Sequence, residues 1–168
     1  MISQFVGRSV PDEWLDNENC IFCKIIMRKE PAYIIYEDDL VISFLDTLPI
    51  RPGHLLIIPK AHFKSLTDLP PELSAAIGQA LTKVGHALTK GMENPNLNVV
   101  CNQGYAQAVY HVHFHLVPAP VFGAETVPEE PKSTTPTYDA ITILEREQRE
   151  ELDDDDAKII VEKIRSKL

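Results

Sequence analysis

The chain has 168 residues, 44% hydrophobic and 24% charged, with 13 prolines against 7 glycines. That size suits one compact domain with a real core, and its charge content is too ordinary for wholesale disorder. A net charge of −9 excludes a general duplex nucleic-acid binder, and the absence of a long apolar run excludes a membrane span.

Residues 1–17 show no sustained period and read as an irregular N-terminal arm, with Trp14 to pin it to the body. The opening lacks a basic segment followed by an apolar stretch, so it is not read as an export signal. CIFCKIIMRKE (20–30) suits a short helix that stops before Pro31. YIIYED (33–38) and LVISFLD (40–46), rich in β-branched and aromatic residues around Glu37-Asp38-Asp39, predict a hairpin. His54-Leu55-Leu56-Ile57-Ile58 follows the turn at Arg51-Pro52-Gly53 and fits a central strand ended by Pro59. The clearest helix spans 70–90, with Pro70 and Pro71 at its start and Glu72 in its first turn. Its apolar stripe is Leu73, Ile77, Ala80, Leu81, Val84 and Leu88, and Gly91 ends it. LNVVC (97–101) and VYHVHFHLVP (109–118) predict two further strands.

Beyond Phe122 the composition changes. Residues 126–137 are Pro-, Thr- and Glu-rich and read as a linker, and 138–151 and 156–168 look helical. Residues 124–168 carry 13 acidic against 7 basic side chains, so the acidity concentrates in this tail. Asp153 to Asp156 read as the solvated start of the last helix rather than as a Mg²⁺ site. The element order is α+β with an antiparallel sheet: an arm at 1–17, a body at 18–123 and an acidic C-terminal extension at 124–168.

His111-Val112-His113-Phe114-His115 is the most informative stretch. On a strand, positions i, i+2 and i+4 share a face, so three imidazoles are expected on one side, able to surround one small group. A core would not choose three rings with six nitrogens to satisfy, because each unmet group costs about 1–3 kcal/mol. The pattern reads as a catalytic or metal site. Cys20 and Cys23 form a C-x-x-C pair, which points to metal or redox chemistry. Three cysteines without an export signal argue for reduced thiols in a cytoplasmic compartment, with the nucleus also compatible.

H-V-H-F-H-L-V, CIFCKII, Phe44-Leu45-Asp46, Pro52-Gly53-His54 with LLIIPKAH, and Gln107-Ala108-Val109-Tyr110 occur in an order that resembles the histidine-triad superfamily, in its nucleoside phosphoramidase branch. The resemblance covers residues 18–120 and not the tail. It implies an α+β fold with a five-stranded antiparallel sheet, a long helix and a short N-terminal helix, to which the mostly helical extension is added. It also implies a hydrolase or transferase acting at the α-phosphorus of a purine nucleotide such as AMP in a phosphoramidate. His113 is then the nucleophile, with His115 and His111 beside it. A neutral imidazole suits that role at pH 7, because its P–N adduct is labile to water. Asp46 matches the ribose-binding position, and Phe22, Ile25 and Phe44 the apolar slot for the base. Asn102, Gln107, Ala108 and Val109 match the phosphate loop. Ala108 departs from the family, which commonly has a hydroxyl there, and this leaves the leaving group open. Dinucleoside polyphosphate hydrolysis and a nucleotide-binding scaffold with little catalysis are the alternative readings.

Some relatives hold zinc on such a cysteine pair plus two remote histidines, which match His62 and His111. The resemblance therefore implies a structural zinc on Cys20, Cys23, His62 and His111, against reduced thiols without metal. It also implies a homodimer joined through the long helix and an adjacent strand. His54 is read either as orienting His113 or as packing.

Overall fold

The computed structural model describes residues 18–104, 106–120 and 149–168. The elements are α1 (Ile21–Ile26), β1 (Ile34–Glu37), β2 (Val41–Leu45), β3 (Leu55–Pro59), α2 (Pro71–Gly91), β4 (Leu97–Cys101), β5 (Phe114–Pro118) and α3 (Asp154–Arg165). The expected arm with Trp14 and the linker lie outside the described residues. So does the helix expected over 138–151, save for 149–151, which carry no regular structure.

The five strands form one sheet in the order β1-β2-β3-β5-β4, every neighbouring pair antiparallel. All five residues of β2 and of β3 are buried, so these strands are covered on both faces. Their alternation sorts the core into two layers. Val41, Leu45, Leu55 and Ile57 face α2 and α3, where Ile77, Val84, Leu88, Ile160 and Ile164 meet them. Ile42, Phe44, Leu56 and Ile58 face the other way, onto Phe22, Ile25 and the two cysteines of α1. The turn into β3 depends on Gly53, whose φ of +86° is a conformation that side-chain-bearing residues rarely adopt.

α3 is part of the main core. Ala157, Ile160 and Ile164 are buried, and full burial of an isoleucine is worth about 1.5–3 kcal/mol. Its crossing with α2 is close. A Cβ at Gly91 would stand 2.7 Å from the Lys163 carbonyl oxygen and 2.9 Å from the Ile164 Cα, so glycine is what permits the approach. The helix begins at Asp154, ahead of the expected 156, because Asp153 caps it: its carboxylate accepts from the N–H groups of Asp155 and Asp156. Among the described residues no helix is long and apolar enough to cross a membrane.

One expectation needs correcting. The strand expected over 109–118 begins only at Phe114. The backbone before it is committed elsewhere: the Val112 N–H donates to the Phe63 carbonyl at 2.7 Å, and the His111 carbonyl accepts from the His113 ring at 2.7 Å. The three histidines therefore do not share one regular strand face, and they do not converge on one group.

Candidate active site and metal cluster

A cavity of about 450 Å³ opens on the α1 side of the sheet. That lies within the range of small-molecule sites. Phe22 and Ile25 come to it from α1, Phe44 and Asp46 from the end of β2, and Asn102, Ala108 and Val109 from the loop between β4 and β5. His113 and His115 form its floor with ring centroids 4.9 Å apart, and Phe22 stands edge-on to His113 at 5.3 Å. His111 is not part of this lining, and neither is Gln107. Gln107 is buried beneath the loop, where it donates to the Lys64 and Val109 carbonyls at 2.8 and 3.1 Å and accepts from the Gly104 N–H at 3.0 Å. It braces the loop from within. Ala106, with φ +58°, is held in the left-handed region beside it. Such backbone concentrates where a loop must present its groups to a ligand.

Hydrogen bonds fix which ring nitrogen carries each proton. His113 Nδ1 donates to the His111 carbonyl, so Nε2 holds the lone pair. His54 Nδ1 accepts from the Ile50 N–H at 3.1 Å, so its Nε2 carries hydrogen and donates to His115 Nδ1 at 2.9 Å. His115 must then carry its proton on Nε2. Two neighbouring imidazoles are thus left in opposite states, one a base and one a donor. Burial is the main force holding them uncharged. It presses His54 down to about 3 and His115 to about 2, with neighbouring cationic groups adding to the effect, and it lowers His113 as well. The hydrogen bond that His54 makes in the cavity thus runs to His115. The position of His54 directly after the Pro-Gly turn was the signal available in the sequence.

Asp46 sits at the rim. Its Oδ1 accepts from the Leu48 N–H at 2.9 Å, and its Oδ2 lies 3.5 Å from His54 Nε2. Burial raises its pKa, while the Leu48 bond and the Arg149 guanidinium oppose that rise. Arg149, from the C-terminal extension, also lines the cavity, and sequence reasoning missed it. Nothing in the pattern of an acidic tail marks one of its bases as belonging to a pocket.

Behind Phe22 lies a second cluster. Ligand atoms of Cys20, Cys23, His62 and His111 all fall within 4.8 Å of one another. His111 Nε2 donates to the Pro59 carbonyl at 2.9 Å, which leaves the Nδ1 lone pair facing both thiols at 3.6 Å. The Cys23 sulfur is 3.3 Å from His62 Nδ1. Ligands around tetrahedral zinc stand about 3.3–3.8 Å apart, given bonds of about 2.0–2.3 Å, so the donor set fits and these three separations fall in that range. Burial, followed by the neighbouring Cys20, pushes the Cys23 thiol up to about 12, so a thiolate here requires a cation among the ligands.

The HIT domain family model matches residues 27–120. The adenylylsulfatase HINT3 of Arabidopsis thaliana is 38% identical over 111 residues, covering 65% of this chain and 56% of that protein. The chain thus spans little more than half the length of that relative. Among solved structures, a hypothetical histidine triad nucleotide-binding protein from Sulfolobus tokodaii superposes with a TM-score of 0.70 at 26% identity, covering 88% of this chain and 91% of that one. A Zn-bound histidine triad family protein from Mycobacterium smegmatis superposes with a TM-score of 0.66 at 28% identity, covering 90% and 96%.

Proposed function

The chain belongs to the HIT domain family, and on that premise we propose that it is a nucleotide hydrolase or transferase. It acts at the α-phosphorus of purine nucleoside phosphoramidates or related adducts, through a covalent nucleotidyl-His113. The observation that carries this reading is the pair of opposite tautomers on the cavity floor. The His113 Nε2 lone pair attacks phosphorus. The bond from phosphorus to the leaving atom breaks, its electron pair departs with the leaving group, and an amine leaving group takes up a proton from solvent as it goes. The His115 Nε2–H donates to the phosphoryl oxygen where charge accumulates. Water then attacks the adduct, the P–N bond returns its pair to Nε2, and the water's proton passes to solvent. The Asp46 carboxylate accepts from the ribose hydroxyls, and Phe22, Ile25 and Phe44 hold the base. The loop at Asn102, Ala108 and Val109 flanks the phosphate, and Gln107 shapes that loop.

Cys20, Cys23, His62 and His111 would hold a structural zinc, which would tie α1 to the segment leading into β5. A homodimer through α2 and β4 completes the reading. β4 is one of the two outer strands of the sheet and leaves Val99 half exposed. Light scattering should give twice the chain mass, and Val99→Lys should halve it.

The test of the chemistry is a rapid quench of the protein with an AMP adduct, followed by peptide mass analysis. One adenylyl group on His113 is expected. Turnover that leaves no adduct and survives His113→Ala at the wild-type rate overturns the reading.

A further inference from the structure

We propose that Arg149, supplied by the C-terminal extension, is a specificity-determining residue that binds an oxyanion leaving group, so that adenylyl adducts of sulfate or phosphate are preferred over phosphoramidates. The inference rests on the reading that the cavity works at an α-phosphorus.

Arg149 lies beyond the residues that the family model matches, yet it lines the cavity together with Asp46, His54 and His115. Its placement follows from anchors on both sides of the site's rim. The Leu152 N–H donates to the Thr47 carbonyl at 3.0 Å, directly after Asp46. Tyr33 donates to Asp154, and α3 is fixed on the core by Ala157, Ile160 and Ile164. The extension is thereby tied to the β2 end that carries the rim, and Arg149 is three residues before that tie.

Charge then decides what Arg149 is suited to bind. Among the described lining residues, the other titratable groups are Glu30, Asp46 and the three imidazoles. Arg149 is the single lysine or arginine among the described lining residues. Its field already reaches Asp46, His54 and His115. An α-phosphoryl group with an amine leaving group brings one negative charge, whereas a sulfate or phosphate adduct brings two or more. A guanidinium presents a planar fork suited to such oxyanions.

An independent observation points the same way. Ala108 stands at the phosphate loop and has no side-chain proton to give. An amine must be protonated as it leaves phosphorus. Sulfate or phosphate departs with the bonding pair and needs no proton. The site thus offers a cation for the departing group and, at position 108, no acid.

The experiment measures kcat/KM of the full chain for adenylyl sulfate, diadenosine triphosphate and an AMP–arylamine phosphoramidate, in wild type, Arg149→Gln and Arg149→Lys. For Arg149→Gln, the ratio of an oxyanion adduct to the phosphoramidate should fall by about 10- to 100-fold, the value of a charge-assisted hydrogen bond. Arg149→Lys should recover part of that ratio. Whichever oxyanion adduct shows the larger fall identifies sulfate or phosphate as the preferred group. A ratio unchanged in Arg149→Gln overturns the proposal, whether the absolute rates fall together or not at all. In a His113→Ala background, dissociation constants for adenylyl sulfate and for the phosphoramidate provide the same ratio without turnover. A wild type that binds both but forms no adenyl-histidine would sink the parent reading and leave this ratio to decide for Arg149.

Discussion

Two histidine clusters sit side by side on the α1 face, and Phe22 separates them, edge-on to His111 at 5.9 Å and to His113 at 5.3 Å. They share a construction. His111 and His113 each donate one ring N–H to a backbone carbonyl and keep the other nitrogen as a lone pair. What differs is the group opposite that lone pair. His111 Nδ1 meets two buried thiols and a second imidazole, while His113 belongs to the floor of an open cavity. Position two apart in the sequence therefore does not assign a role. On the proposed reading, an identical donor serves as a metal ligand or as a nucleophile according to what the fold puts in front of it.

The sharpest way to break this comparison is to remove each lone pair in turn. His113→Ala should lower turnover on any nucleotide adduct by about 10⁴-fold or more, while bound zinc and thermal stability stay near wild type. Steady-state kinetics alongside metal analysis checks both halves. Cys23→Ser should do the reverse. It should release metal and cost about 2–5 kcal/mol of stability, because one ligand of a closed site is lost. Chelator titration followed by denaturant unfolding measures it. If Cys23→Ser abolished covalent adenylation in protein that remained folded, the two clusters would be one functional unit and the division would fail.

His54 tests the finer point that tautomer matters within the cavity. His54→Ala removes the N–H that holds His115 Nδ1 as an acceptor, so His115 Nε2–H is no longer enforced. Turnover should drop by about 10- to 100-fold, less than the roughly 10²–10³-fold that follows outright loss of an oriented donor, because His115 still presents Nε2–H in part of the population. Nitrogen chemical shifts of His115 should report a mixture of tautomers. A drop in rate with the His115 shifts unchanged would assign His54 to packing alone.

Much of this was legible in the sequence, for identifiable reasons. The 70–90 stripe and the Pro-start, Gly-end punctuation mark α2 because helix periodicity and end chemistry are local. β2 and β3 read clearly because covered strands are continuous apolar runs. The segment at 111–113 did not, because its backbone bonds go to Phe63 and to a side chain, partners that no local period announces. Gln107 looked like a phosphate contact, yet its three bonds brace the loop, and only the fold shows that Lys64 is near. Arg149 was invisible for the same reason. Its place at the rim depends on the Leu152 to Thr47 bond and on α3 docking at Gly91, contacts made far along the chain.

The smallest effect concerns pH, and it falls on the cavity side of the comparison. His54 and His115 are held near 3 and 2 when folded, against about 6.5 in an unfolded chain. The unfolded state therefore takes up protons first. The stability these groups contribute is complete above pH 6.5 and is lost as pH falls toward 3. At most, each histidine removes about 1.4 kcal/mol per pH unit in that window. Metal ligands also protonate on acidification, so the slope of the wild type alone does not apportion the loss. A His54→Asn, His115→Asn double variant keeps the Cys20, Cys23, His62 and His111 cluster and lacks both cavity groups. Its unfolding free energy should decline less steeply between pH 6.5 and 5 than that of the wild type. Parallel slopes would place the acid sensitivity in the metal cluster instead, and would mean that the cavity imidazoles titrate near their ordinary value, charged where the nucleophile needs them neutral.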